Sequence, residues 1–281
     1  MRKILIPTDF SENAMNAIKY ATELFKYERS EIYLLHAFSD SVYEDKVRLA
    51  DAPFEELKQQ AYEKAKERLE QIRKESFSFS PNPKHTIHTV AEFGLLVDSV
   101  NDWVERENID VVVMGTKGET ADKKITFGTN TLQIIKYVKC PVLAIPAVYA
   151  DVHPKNLLFP TDYLLPYKRR ELKLVSRIAK CFVSKVDFLY VSKFPTLSLR
   201  QQDNKNFLET AFSENKTTFH QEAQTDITKA INTFVIENPI DMLVMVNTRH
   251  SYLENILYQS TIEKIGLKID IPFLVLQNLP R

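Results

Sequence analysis

The stretch Lys3-Ile4-Leu5-Ile6-Pro7-Thr8-Asp9-Phe10 decides the fold, because it returns later as Asn156-Leu157-Leu158-Phe159-Pro160-Thr161-Asp162-Tyr163. The two aspartates lie 153 residues apart. Two more pairs follow in the same order. Ile109-Asp110-Val111-Val112-Val113-Met114 is answered by Ile240-Asp241-Met242-Leu243-Val244-Met245, and Cys140-Pro141-Val142-Leu143-Ala144-Ile145 by Ile271-Pro272-Phe273-Leu274-Val275-Leu276, both at an offset of 131. Three matches in conserved order predict two copies of one domain, over residues 1–147 and 154–281. The first copy is longer by 22 residues, and the charged helical stretch around Pro53 to Glu75 with its entry loop accounts for the surplus.

Within the first copy, short runs of Val, Ile and Leu alternate with amphipathic segments. Strands are expected at Lys3–Ile6, Ile32–Ala37, His85–Ala91, Asp110–Met114 and Val142–Ile145. Between them, Ala14, Ala17, Ile18, Ala21 and Leu24 keep helical spacing after a capping Ser11, and Leu57, Ala61, Ala65, Leu69 and Ile72 line one face of a long helix. Further helices are expected on the face Leu96, Val100, Trp103, Val104 and over Leu132–Val138. Nearly continuous apolar strands separated by helices predict an α/β fold in which a five-stranded parallel sheet is sandwiched by helices in each copy.

Composition narrows the function. Thirty-seven Lys and Arg balance thirty-seven Asp and Glu, so no net field draws the chain to nucleic acid or to a membrane surface. No apolar run approaches the length of a membrane span, and the N-terminal run is too short for a signal peptide. A cytoplasmic protein is expected. Cys140 and Cys181 lack a metal or redox spacing and are expected to be buried and reduced. His85 and His88 would fall on opposite faces of a strand, so no metal site is assigned, and no Ser-His-Asp or paired-carboxylate arrangement marks a catalytic residue.

Only 5 glycines occur in 281 residues, where average usage would give roughly 20. Three of them, Gly115, Gly118 and Gly128, fall within fourteen residues. The segment Met114-Gly115-Thr116-Lys117-Gly118, nine further residues and Gly128-Thr129-Asn130-Thr131 sits where a parallel sheet binds ligands, beyond the carboxyl ends of its strands. Glycines let main-chain N–H groups approach an anion, and the helix start at Gly128–Thr131 adds free donors. Thr129 and Thr131 could donate hydroxyl hydrogen bonds, and Lys117 could add charge. The Walker-type and dinucleotide-binding glycine patterns are both absent.

The string Lys3 to Ser11, then Leu34-Leu35-His36-Ala37, the G-x2-G-x9-G-[ST] spacing from Gly115 to Thr129, and Pro141-Val142-Leu143 resemble the ATP-binding branch of the universal stress protein family. The resemblance covers the first copy almost end to end and the second more weakly. It implies a HUP-like α/β fold holding ATP, or ADP or AMP, in the first copy, with Mg or another divalent ion beside the phosphates. Pro7, Thr8, Asp9 and the backbone at Ala37 would then surround adenine. Met114 and Gly115 would lie at the ribose, and Gly118, Gly128, Thr129, Asn130 and Thr131 at the phosphates, with Lys117 a less defined contact. The last strands pair across a dimer in this family, which implies pairing between the two copies and allows a homodimer.

The second copy departs from the motif. Asp162 remains, but Val246, Arg249 and Tyr258 replace Gly115, Gly118 and Gly128. One nucleotide per chain is therefore expected, in a regulatory rather than catalytic role. Slow ATP hydrolysis or self-phosphorylation at the same site is the enzymatic alternative, and a scaffold without nucleotide is a third.

Overall fold

A computed structural model describes residues 1–43, 53–116, 127–147, 149, 151–164, 167–194, 196–248, 252–253 and 270–278. Lys117, Gly118, Arg249, His250 and Tyr258 lie outside the described residues, as does part of the entry loop before Pro53. The described residues fall into two compact units, one from Met1 to Ala147 without Phe127, the other from Tyr149 onward with Phe127.

In the first unit the strands are β1 (Arg2–Pro7), β2 (Ser30–Ala37), β3 (His85–Glu92), β4 (Val111–Gly115) and β5 (Val142–Ile145). The helices are α1 (Glu12–Leu24), α2 (Ser39–Tyr43), α3 (Phe54–Phe79), α4 (Leu96–Arg106) and α5 (Thr129–Tyr137). The strands run parallel in the order β3-β2-β1-β4-β5. Ile4, Leu5, Ile6, Ile32, Leu34, Val112 and Val113 are fully buried. A strand apolar on both faces demands cover on both, and helices supply it. α1 packs on β4 and β5, and α3 on β2 and β3, while α4 lies against β1, β2 and α5.

Local chemistry fixes the ends. Ser11 Oγ accepts the Ala14 amide at 3.1 Å and starts α1. On β3, His85 and Ile87 are buried while Thr86 and His88 are exposed, the two-residue alternation of a half-covered outer strand. α5 starts at Thr129, three residues before the run that periodicity marks, because its first turn is polar. Cys140 is buried, whereas Cys181 is only half-buried, contrary to expectation. Trp103, on α4, is half-buried; its indole donates to Glu92 Oε1 at 2.6 Å, and the Arg106 guanidinium lies 3.9 Å above its ring.

The second unit repeats the plan with β6 (Asn156–Pro160), α6 (Arg169–Phe182), β7 (Lys185–Val191), α7 (Leu199–Ala211), β8 (Lys216–Glu222), α8 (Ile227–Glu237), β9 (Met242–Asn247) and β10 (Phe273–Gln277). Its strands also run parallel, in the order β8-β7-β6-β9-β10. The registers superpose: Pro7 pairs with Leu35 and Pro160 with Leu189. The unequal lengths are visible in α3, which has 26 residues against 13 in α7. No described helix is long and apolar enough to cross a membrane.

Candidate functional site

In the first unit the winding reverses between β1 and β4, and such a switch point opens a crevice at the strand ends. β1 leaves the sheet through Thr8, whose amide bonds Leu35 O at 2.8 Å. Thr8 Oγ1 accepts the Phe10 amide, and Asp9 Oδ1 accepts both the Ser11 amide, at 3.1 Å, and the Ser11 hydroxyl, at 2.6 Å. These short loops hold Phe10 at φ 68°, a left-handed conformation that costs a bulky residue on the order of 1–3 kcal/mol. Tyr163 repeats it at φ 57°, with Thr161 Oγ1 and Asp162 Oδ1 accepting in the same places. Both units thus keep one tight bend after the first strand.

Across the crevice, Thr116 pairs its amide with Ile145 O and accepts the Gly128 amide at 2.8 Å, bringing the end of β4 to the start of α5. Gly115 has a packing reason for lacking a side chain, since a Cβ there would meet Asn13 Nδ2 at 2.5 Å. Thr131 is buried and its hydroxyl donates to Gly115 O at 2.9 Å, so it ties the helix to the strand end and is already committed. In this structure the Thr131 hydroxyl, expected to donate to an anion, makes this bond instead, while the residue still lines the cavity.

A cavity of about 110 Å³ opens between these ends. Pro7, Thr8, Asp9 and Ala37 form one side, and Met114, Gly115, Asn130 and Thr131 the other. Gly128 and Thr129 are not on this wall; Gly128 precedes α5 as its N-cap without a side-chain bond, and Thr129 is exposed on its first turn. Ala14, His36, Asp40 and Leu96 complete the lining. Sequence reasoning did not assign them, although Asp40 stands only three residues beyond Ala37. No group of three or more metal-ligating side chains occurs among the described residues.

His36 ties β2 to the bend, its Nδ1 lying 2.8 Å from Thr8 O. Burial, the main cause, together with Arg68 pushes its pKa below the ordinary 6.5, while the Thr8 carbonyl and Asp9 pull the other way. Burial lowers His85 likewise. A histidine with a depressed native pKa favours folding above the unfolded value and loses that contribution as pH falls through the native one. Below about pH 6.5 the first unit should lose stability, and a His36→Gln, His85→Gln variant should show a flatter decline in urea unfolding. An equal slope in both proteins would refute this assignment.

In the second unit the place beside the end of β9 is nearly filled, while a cavity of about 630 Å³ remains toward β7 and α7, lined in part by Asp162, Val191 and Tyr252. Pro160, Thr161, Asp162, Met245 and Val246 take the positions of Pro7, Thr8, Asp9, Met114 and Gly115, and with Tyr167 and Tyr252 they leave about 10 Å³, room for no more than one water. Tyr167, just before α6, hydrogen-bonds Thr161 Oγ1 through its hydroxyl. Tyr252 donates to Val191 O at 2.7 Å and receives the Val191 amide at 3.3 Å. By register Val191 matches Ala37, so in the second unit a phenol occupies the main-chain groups at this position. Asp162 is accordingly buried and its pKa raised by that burial, whereas Asp9 is exposed. Val246, with Tyr258, was expected to occlude the phosphate path; Tyr258 lies outside the described residues, and beside Val246 the pocket is narrowed by Tyr167 and Tyr252, which no local pattern announces.

A doubly wound parallel sheet with a crevice at its switch point defines a broad class of nucleotide- and small-ligand-binding α/β domains. Comparison with known proteins narrows it. The family model described as "Universal stress protein family" matches residues 1–146, and the chain belongs to that family. Among its relatives in Methanocaldococcus jannaschii, universal stress protein MJ0577 is 30% identical over 156 residues, spanning 51% of this chain and 94% of that protein. Universal stress protein MJ0531 is 29% identical over 145 residues, spanning 51% and 81%. The crystal structure of a universal stress protein from Archaeoglobus fulgidus shares the fold over 98% of both chains, with a TM-score of 0.69 at 18% identity.

Proposed function

We propose that the first unit binds an adenine nucleotide, ATP foremost, as a regulatory module in stress response, and that the second unit is a structural copy without a nucleotide. The observation that carries this reading is the contrast at the ends of β4 and β9, where about 110 Å³ lies open beside Gly115 and about 10 Å³ beside Val246. The base would pair with the main chain at Ala37 beside Pro7, Thr8 and Asp9. The phosphates would extend past Gly115 toward the first-turn amides of α5, whose dipole favours anions. Gly118, Gly128, Thr129, Asn130 and Lys117 belong to the phosphate end of this proposal. A divalent ion such as Mg would be held chiefly by the phosphates, since the described residues offer no metal cluster.

Titration calorimetry of the full chain with ATP, ADP and AMP tests the reading. One equivalent per chain is expected; none, or two equal sites, overturns it. Turnover of radiolabelled ATP that is lost in Gly118→Val and Gly128→Val would instead make this site that of an ATPase. Association of two chains belongs to the same proposal and would appear as a doubled mass in light scattering.

A further inference from the structure

The first unit holds a second and larger cavity, about 540 Å³, between the ends of β1 and β2 and the long helix α3. It shares only Asp9 and His36 with the candidate site. Its volume falls in the range of sites for small organic ligands. The apolar floor comes from Phe38, Val42, Leu57 and Ala65, a packed cluster that Ala61 and Phe54 extend. Above the floor stand Lys64 and Arg68, four residues apart on one face of α3 and both exposed.

The charges on α3 are not treated alike. Lys58 lies 3.9 Å from Glu55, and Arg73 lies 2.6 Å from Glu70. Lys64 and Arg68 have no carboxylate within salt-bridge distance among the described residues. Arg68 rests on the Phe10 ring, 4.2 Å from its centroid, and that ring leans on His36 at 4.3 Å. Because its backbone is held in the left-handed region, Phe10 is a fixed platform for the guanidinium. His36 is kept neutral by burial and adds no positive charge at neutral pH. Asp9, the acidic group on the wall, is engaged with Ser11.

Two cations with no counter-charge among the described residues, over an apolar floor, match a molecule that is anionic at one end and apolar along its body. We infer that this cavity binds an organic carboxylate, its apolar body on the Phe38–Leu57 floor and its carboxylate between Lys64 and Arg68. A phosphate or sulfate ion alone would leave the floor wet. The second unit also holds a cavity, about 630 Å³, at the ends of β6 and β7 beside α7, but no Lys or Arg is among its described lining residues, so the cation pair is particular to the first unit.

Decanoate, with decanol as its uncharged match, is a suitable probe for calorimetry on the full chain. One saturable equivalent of decanoate is expected, with decanol weaker by about tenfold or more. Lys64→Glu with Arg68→Glu should weaken decanoate by a similar factor. Ala61→Phe, which narrows the cavity and keeps both cations, should do the same, and circular dichroism should find each variant folded. Absence of saturable binding overturns the inference, as do equal affinities for acid and alcohol, or binding that neither variant changes. The nucleotide reading is tested separately: retained decanoate binding in a chain that rejects ATP would leave this site standing, and the converse would remove it alone.

Discussion

Phe188→Ala is expected to destabilise the second unit by about 3–5 kcal/mol, the usual cost of emptying a buried aromatic position. Phe188 is fully buried on β7. Its ring is stacked on Phe219 at 4.9 Å, edge-on to Phe212 at 5.3 Å and tilted against Phe159 at 5.4 Å. Three stiff neighbours anchored in β8, at the C-cap of α7 and in β6 cannot all close on the vacancy, so the transfer and cavity terms both count. A domain is stable by only about 5–15 kcal/mol, and the change would take a large share of that. Urea unfolding followed by circular dichroism measures it. A loss under about 1 kcal/mol, well below this range, would mean that the aromatic cluster does not hold the second sheet to its helices.

The second large effect is expected at Thr129→Glu. Thr129 is exposed in the first turn of α5, so a carboxylate there interacts favourably with the helix dipole and should raise stability by about 0.3–1 kcal/mol. The same charge would stand where the phosphates are proposed to lie. Like charges about 4 Å apart repel by about 1 kcal/mol in water and about 4 kcal/mol at an effective dielectric of about 20. A penalty of about 2–3 kcal/mol corresponds to roughly 30- to 150-fold weaker ATP binding. Stability and affinity should thus move in opposite directions, which misfolding cannot imitate. Raising salt should shrink the loss, and affinity unchanged by the substitution would place the phosphates elsewhere.

Much of the architecture is legible because its causes are local. Runs such as Val111-Val112-Val113 can only be strands covered on both faces, and the repeated Pro-Thr-Asp bend announces the end of β1 and of β6. The alternation of His85 and His88 is decided by strand geometry alone. Part of each wall of the cavity is legible as well, since Pro7 to Asp9 and Met114 to Gly115 end strands whose neighbours follow from the winding order. Contacts made across the sheet are not legible. Nothing around Thr131 tells that its hydroxyl bonds Gly115 O, and nothing around Tyr252 that its phenol reaches Val191, 61 residues away in sequence. Gly115 reads as a ligand-facing glycine, yet the nearest claim on its missing Cβ is Asn13 on α1. Such pairings depend on which helix covers which strand end, and that is set only once the sheet is assembled.

The single tryptophan of the chain is Trp103, set in the first unit between Glu92 and Arg106. Its emission is consequently a private signal of that unit. Denaturation followed by tryptophan fluorescence will track the loss of α4 from β3 and will be silent on the opening of the second sheet, while far-ultraviolet dichroism sums both. Where the two curves diverge, the gap between them measures how independently the halves of the chain unfold, without a label or a cut.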